Sequence, residues 1–464
     1  MQTYDIVGIG FGPANIALAI ALEEYQFTGS RLFLERRAGP SWQPEMLLPG
    51  SDIQNHPCRD LVTPRNPRSR YTFMNFLVEN QRLFDHLNLG LEFPLRYEYA
   101  QYVSWVADFF SKDVRYGTAV GSLRLDPYDP NLFIVTTEAG ESIRARSVVV
   151  APGRTPLIPT LFADCDPAKV FHLTEFNHRL EALGKMAPLQ HIAVIGGSQS
   201  AAELVLHLRD RCPDAQISNV MRAYGYRLKD TSQFSEHVYF PEFVDYYYNL
   251  SGDGKKRINQ HLHYTNYSAV DKDLITSLYA RMYEDRLRQA ERIRMASSSE
   301  ILSCDLQDGT QGRLQLEVKE VNTGAVEKIE NIDAIVLATG FRNLGVGEGE
   351  ESCPPILKDL HEHLTVNQNG ILHIQRDYSL SARDGHAVPP LYLNGLCESS
   401  HGYGDAGSFS LLALRARDIY ESLSGKLENS AVSRRPDACT AAQKQRQPVC
   451  HTDRVAEFTG AEVQ

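Results

Sequence analysis

Apolar and polar residues along this chain alternate between two periods. Tyr4 to Ile9 is a short apolar run rich in β-branched residues, as a strand buried on both faces requires. Gly8, Gly10 and Gly12 lead into a loop, and from Ala14 to Glu24 the residues Ile16, Leu18, Ala19 and Leu22 follow helical spacing. A second strand, Arg31 to Leu34, ends at Glu35. Residues 42–71 are rich in Pro, Asn and Arg and lack periodicity, a length that in a compact domain marks a functional loop. Helical spacing resumes over Tyr71–Leu83 and Tyr99–Phe110. Residues 113–150 predict three short strands separated by YDPN and EAGE turns, and end in the buried strand and glycine of SVVVAPG.

A second strand, glycine loop and helix open at residues 191–209, HIAVIGG followed by SQSAAELVLHL. The pattern then predicts a charged amphipathic helix over 271–294, strands over 312–319 and 333–338, and a last helix over Ser408–Leu423. From about Leu427 the chain turns polar, so residues 426–464 are expected to form a disordered tail. No internal repeat is visible beyond the two glycine loops.

Composition narrows the class. A length of 464 residues predicts two to four domains, and 42% apolar with 23% charged residues is ordinary for a soluble globular chain. No apolar run reaches membrane-spanning length, and no basic segment precedes the first strand, so neither a span nor a signal peptide is expected. The net charge of −11 argues against nucleic acid or an anionic membrane as partner. Eight scattered cysteines without a CxxC pair read as reduced thiols of a cytoplasmic protein, with no structural zinc.

The candidate chemistry lies in the two loops. A dinucleotide pyrophosphate needs a helix N-terminus whose N–H groups it can approach closely. Gly10, Gly12 and Asn15 supply this at GxGxxN spacing with Pro13 in the first turn, and Glu35 stands where an adenosine ribose is bound. The second loop, Gly196 to Ala201, carries Ser198 where glycine is commoner. After the next strand it offers Arg222 in place of an acid, a residue suited to a 2′-phosphate. One loop with an acid and one with an arginine suggest FAD and NADPH in one chain, hence hydride transfer between them. Without a CxxC near the flavin loop, a disulfide reductase is disfavoured, which leaves a flavin monooxygenase or a plain flavin NADPH reductase.

Residues 4–423 resemble the class B flavin-dependent N-hydroxylating monooxygenases, the lysine and ornithine N-monooxygenases of siderophore biosynthesis. The resemblance is carried by GFGPAN at Gly10–Asn15, MLLPG at Met46–Gly50, Arg59–Thr63 leading into Asn66–Ser69, Gly196–Glu203, Thr265–Ser268, Asp333–Phe341, and His401-Gly402 with Asp405. It implies an α/β fold with two Rossmann-like dinucleotide-binding domains and a small, mostly helical substrate region. The FAD domain would combine 1–190 with 330–425. The NADPH domain would occupy 191–330, with a pocket segment at 236–300. It implies hydride transfer from NADPH to FAD, then oxygen transfer from a flavin hydroperoxide to the primary amine of a free amino acid, in a homo-oligomer (relatives are often tetramers).

By position, the resemblance sets Gln54 and the Trp42–Pro49 segment along the flavin and Ser198, Ser200 and Arg222 at NADPH. It also sets Thr339, Gly340 and Asp405 at the cofactors, and Arg59, Glu236, Asn266 and Ser410 at the substrate. Arg59 stands for a family lysine and Glu236 for a family asparagine; Ser410 lies one residue further from Asp405 than the pattern expects. Arg59 beside Glu236 suits the zwitterionic end of an ornithine- or lysine-type substrate, and Arg59 alone would suit aspartate. The plainer alternatives are an Arg59–Asp60 pair and a solvated Glu236. His56 and His401 read as structural, Tyr246–Tyr248 as packing, and the roles of Arg65, Arg68 and Arg70 stay open.

Overall fold

The computed structural model describes residues 1–433 apart from 311 and 406. Two five-stranded parallel sheets carry the architecture. The first runs in the order Leu391–Leu393, Val148–Val150, Ile6–Ile9, Arg31–Leu34 and Val114–Arg115. Its three central strands are almost wholly buried, as parallel strands covered on both faces must be. The helix Pro13–Glu24 packs on this sheet and is buried continuously from Asn15 to Leu22, which explains why it is apolar all round.

The second sheet runs Ile293–Ala296, Gln216–Val220, His191–Ile195, Ala334–Leu337 and Val170–His172. Two of these strands lie outside residues 191–330, so the chain crosses between the sheets near 151–170 and again near 338–344. Each crossing braces the other. Leu157 N–H donates to the Gly340 carbonyl at 3.0 Å, Arg342 N–H donates to that of Thr155 at 2.8 Å, and Thr339 Oγ1 donates to that of Leu157.

Two smaller sheets flank these. Val120–Leu125, Phe133–Thr137 and Ser142–Ala145 form the expected meander, joined by Thr3–Tyr4. Ser299–Leu306, Leu314–Glu320 and Val326–Ile332 form an antiparallel trio, of which only the middle strand showed in the pattern. The outer two have largely exposed faces and so lack an apolar alternation.

Three expected helices differ in extent. The Tyr71–Leu83 pattern resolves into helices Phe73–Glu79 and Leu83–Leu89, because Gln81 adopts a left-handed φ of 57° between them. The 271–294 pattern ends at Leu287; Gln289 is left-handed at φ 55°, and Ile293–Ala296 then joins the second sheet. The last helix spans Leu412–Ser433, past the point where a tail was expected; residues 434–464 of that expectation lie outside the described residues. The six cysteines among the described residues are free thiols. None of the described helices is long and apolar enough to cross a membrane.

A buried ion pair ties the last helix to the end of the first sheet. Arg415 Nη1 lies 2.6 Å from Asp405 Oδ1, and both side chains are shielded from water. Tyr378 Oη donates to Asp405 Oδ2 at 3.0 Å. Removing one partner of a buried pair strands the other charge at a cost of about 3–5 kcal/mol. Arg415→Ala is therefore expected to lower unfolding stability by that amount, and Tyr378→Phe by only about 1 kcal/mol. Urea unfolding of the two variants checks the difference; equal losses would show that Asp405 is not held as an ion.

Candidate active site

Both glycine loops sit where parallel strands end and helices begin, the place where open α/β sheets bind ligands. Gly10 has φ +84°, and a Cβ there would lie 2.3 Å from the Ala151 carbonyl oxygen. Gly196 has φ +147°, and its Cβ would meet the Ala338 carbonyl oxygen at 2.4 Å. Each loop is thus pressed against the end of a neighbouring strand, and neither position admits a side chain. Gly12 differs: a Cβ there meets nothing within 4 Å, so its missing side chain leaves open space over the first turn of the helix.

Neither helix caps itself. Gly12 and Ser198 are the N-cap residues of Pro13–Glu24 and Gln199–Arg211; neither makes a side-chain cap bond, and neither first turn holds an acid. Apart from the Gln199 N–H, which donates to the Ala269 carbonyl at 3.1 Å, their first-turn N–H groups and positive helix ends suit an anion. Glu35 completes the first loop. Its Oε2 accepts the Phe11 N–H at 2.8 Å and its Oε1 that of Arg37 at 2.9 Å, which fixes the carboxylate and leaves lone pairs for ribose hydroxyls. At the second loop, Ser198 and Ser200 line the helix start, and Arg222 follows the Gln216–Val220 strand. Arg222 is exposed and has no carboxylate partner among the described residues. The residues present fit two dinucleotides.

The side chains of two expected cofactor residues are turned inward. Asn15 and Asp405 are 0% exposed, and their side-chain polar groups are spent on the protein itself. Asn15 Nδ2 instead donates to the Gly10 carbonyl at 2.7 Å, and its Oδ1 accepts from Asn394 Nδ2 at 3.2 Å. Asn394 Oδ1 in turn accepts from Arg415 Nε at 2.8 Å. Asp405 therefore acts on the glycine loop through Arg415, Asn394 and Asn15.

The 42–71 loop bridges the two sheets. Met46 and Leu48 are buried among the residues of the second sheet and its helices. Arg96 donates to the Met46 carbonyl at 2.9 Å and forms a two-pronged buried pair with Glu203 at 2.8 and 2.9 Å. Gln54, left-handed at φ 52°, gives its amide to Asp271, and its N–H to Asp52 at 2.9 Å. Burial, and then the nearby Asp271 and Glu203 carboxylates, push Asp52 up to about 6. Trp42 stands edge-on to Tyr99 and Phe409 at 5.8 and 5.3 Å. Thr339 and Gly340 serve the crossing described above, where the Gly340 carbonyl also meets His172 Nε2 at 2.9 Å.

The four expected substrate residues lie on four separate stretches; Arg59, Glu236 and Asn266 meet near Tyr239, and Ser410 joins them through Asn55. The Arg59 guanidinium lies 6.0 Å from the Tyr239 ring centre and has no ion-pair partner among the described residues. Asp60 is not its partner; that buried carboxylate accepts from Val62 N, Thr63 N, Thr63 Oγ1 and Phe73 N at 2.6–2.9 Å. Tyr239 Oη donates to Asn266 Oδ1 at 3.3 Å. Glu236 stands three residues before Tyr239 on the 3-10 helix Ser235–Tyr239, one turn away on the same face, and burial, then the Glu236 charge, raises the Tyr239 phenol. Ser410 Oγ donates to Asn55 Oδ1 at 3.4 Å, and Asn55 Nδ2 donates to the Arg59 carbonyl at 2.9 Å.

Tyr239 and Asn55 were not singled out by the sequence, since neither residue type signals such a role from its spacing. His401 is buried, stacked on Tyr378 at 4.2 Å, with its ring nitrogens beside Ser400 Oγ and the Arg376 carbonyl. His56 accepts a local N–H from Cys58. Arg65 and Arg70 pair with Glu24 and Glu23, and Arg68 is exposed. Tyr247 is buried, whereas Tyr246 is largely exposed.

Comparison with known proteins agrees with this geometry. Residues 2–343 match the family model described as L-lysine 6-monooxygenase/L-ornithine 5-monooxygenase. An L-ornithine N(5)-monooxygenase of Pseudomonas aeruginosa is 34% identical over 444 residues, covering 93% of this chain and 96% of the relative. Among solved structures, the ornithine N-hydroxylase of Kutzneria sp. 744, with reduced FAD, NADP+ and L-ornithine, superposes with a TM-score of 0.84 at 31% identity, covering 92% of this chain and all of that one. The L-lysine 6-monooxygenase of Pseudomonas syringae gives 0.79 at 34% identity, covering 91% and 99%. The chain thus belongs to the L-lysine 6-monooxygenase/L-ornithine 5-monooxygenase family, and is a flavin-dependent N-hydroxylating monooxygenase that works with FAD, NADPH and dioxygen.

Proposed function

We propose that this enzyme hydroxylates the side-chain primary amine of a free, ornithine-type α-amino acid, giving a hydroxylamine for siderophore or related N–O metabolite synthesis. The observation that carries the reading is the unpaired Arg59 guanidinium sharing the Tyr239 neighbourhood with Glu236 and Asn266. A half-buried cation without a carboxylate is unfinished electrostatics, and a substrate carboxylate completes it bidentately. Glu236 then faces the α-ammonium, Asn266 adds a neutral amide, and the side chain of the substrate carries its second amine toward the flavin. An aspartate substrate fits less well, because its extra carboxylate would share the pocket with Glu236.

Residues Gly10, Gly12, Pro13 and Glu35 would hold the FAD, which supplies hydride acceptance from NADPH and activation of dioxygen. Gly196, Ser198, Ser200 and Arg222 would hold NADPH, with Arg222 on the 2′-phosphate. The flavin half is built on the first sheet, the nucleotide half on the second, and the 236–300 segment with the 42–71 loop closes the pocket between them. The reaction belongs in the cytoplasm, where NADPH is kept reduced.

Three measurements test this. With ornithine, lysine, putrescine and aspartate offered in turn, hydroxylamine should form with ornithine or lysine. NADPH oxidation that yields only peroxide with every amine would instead favour a plain reductase. Arg59→Glu should raise KM for the amino acid by at least about 10-fold, since a charged hydrogen bond contributes about 1.5–3 kcal/mol, with bound flavin unchanged. Arg222→Ala should weaken NADPH by about 1.5–3 kcal/mol while leaving NADH binding nearly unaltered. Equal losses for both nucleotides would dismiss the 2′-phosphate assignment.

A further inference from the structure

Beyond the end of the first sheet lies a buried polar cluster that the assignments above leave unused. Glu398 opens the short helix Glu398–His401, four residues after Asn394, the residue that locks the flavin loop through Asn15. It is 7% exposed and has no cationic partner within bridging distance among the described residues. Its two oxygens instead share the Tyr267 hydroxyl at 2.6 and 2.5 Å, and Oε1 accepts from Asn343 Nδ2 at 3.3 Å. The Tyr267 oxygen accepts in turn from Arg154 Nη2 at 3.3 Å and Asn343 Nδ2 at 3.4 Å, and Arg154 Nη2 also donates to Asn343 Oδ1 at 2.7 Å.

The hydrogen-bonding capacity of the Tyr267 phenol is therefore fully used, one donor and two acceptors, and it cannot turn without leaving a buried carboxylate with only the longer Asn343 contact. Arg154 follows the Val148–Val150 strand of the flavin half; Asn343 follows the crossing at Thr339–Gly340. Tyr267 is the residue next to Asn266, whose amide meets Tyr239 in the candidate substrate pocket. A carboxylate rooted in the flavin half thereby grips the loop that carries a substrate contact.

We infer that Glu398 is a positioning residue for substrate. By clamping the Tyr267 hydroxyl to the edge of the flavin sheet, it sets Asn266 at the distance from Arg59 and Tyr239 that the amino-acid head group requires. Burial is the first reason the carboxyl is raised above its ordinary range; Arg154, Tyr267 and Asn343 oppose that shift and favour the ionised, accepting form. Asn266 itself is exposed between the buried Thr265 and the gripped Tyr267, so its place follows from how those two neighbours are held rather than from packing of its own side chain.

This inference rests on the amine-hydroxylase reading. It is tested with Glu398→Gln, Tyr267→Phe and the double variant, using L-ornithine or whichever amine of the panel gives product. Glu398→Gln keeps shape while removing charge and one acceptor; Tyr267→Phe removes the gripped hydroxyl and guards against a Glu398 variant that fails to fold. Each single change should raise KM for the amine about 10-fold, and the double variant should be no worse than the poorer single, because both break one contact. Flavin content and the anaerobic rate of flavin reduction by NADPH should stay within about two-fold of the parent, which separates a pocket effect from general loss of structure. Effects that multiply in the double variant, an unchanged amine KM in either single, or parallel loss of flavin reduction would each overturn the positioning role. A parent enzyme that hydroxylates no amine would refute the amine-hydroxylase reading, a result distinct from all of these.

Discussion

The structure depends on a line of buried polar contacts running from the last helix to the first glycine loop. Asp405 holds Arg415, Arg415 holds Asn394, Asn394 holds Asn15, and Asn15 holds the Gly10 carbonyl. Every member is shielded from water, so each donor must meet its acceptor or cost the fold roughly 1–3 kcal/mol. That obligation fixes a loop which has no side chains of its own to fix it. Glycine lets the backbone approach a pyrophosphate and would, unaided, leave it loose. The amide of Asn15 supplies the rigidity from behind, so the open face of the loop can stay bare.

The same logic explains how the two glycine loops are tied to one another. Each glycine loop presses on a chain crossing, Gly10 on Ala151 and Gly196 on Ala338, and the two crossings are hydrogen-bonded to one another around Leu157 and Gly340. A hydride can pass between two bound rings only at a short, fixed distance. Anchoring both loops on one braced pair of crossings, with the Arg96–Glu203 pair as a second tie, gives that distance a mechanical origin.

What could be read from the sequence follows from how local each signal is. The glycine loops, their strands and Glu35 were legible, because a strand, a turn and a helix are specified within about 30 residues. The helix breaks at Gln81 and Gln289 were not, since glutamine seldom adopts a left-handed conformation and carries no turn signal. The outer strands of the antiparallel trio were invisible because their faces meet water. Asn15 and Asp405 were recognised as important, but the buried contacts their side chains make were not foreseen. Their contacts are made with residues such as Asn394, 379 positions away from Asn15, and no local pattern shows whether an amide points at a ligand or at its own backbone. The convergence on Tyr239 is of the same kind, since its partners come from the 42–71 loop and from two separate stretches near 236 and 266.

Arg59 and Glu236 are best understood together. On the proposed reading, a cation in place of another cation, and an anion in place of a neutral amide, leave the pocket with one charge of each sign around a single phenol. Neither is neutralised by a direct ion pair with the other, so each keeps its field for a ligand. A zwitterionic head group would satisfy both at once, losing less in desolvation than a singly charged ligand that left one of them exposed to a drying pocket. A lone carboxylate would gain Arg59 and meet repulsion from Glu236; a lone ammonium would do the reverse. Discrimination of this kind acts by penalising the wrong ligand as much as by rewarding the right one. It would assign the choice of head group to charge and leave reach to the flavin to the length of the substrate side chain.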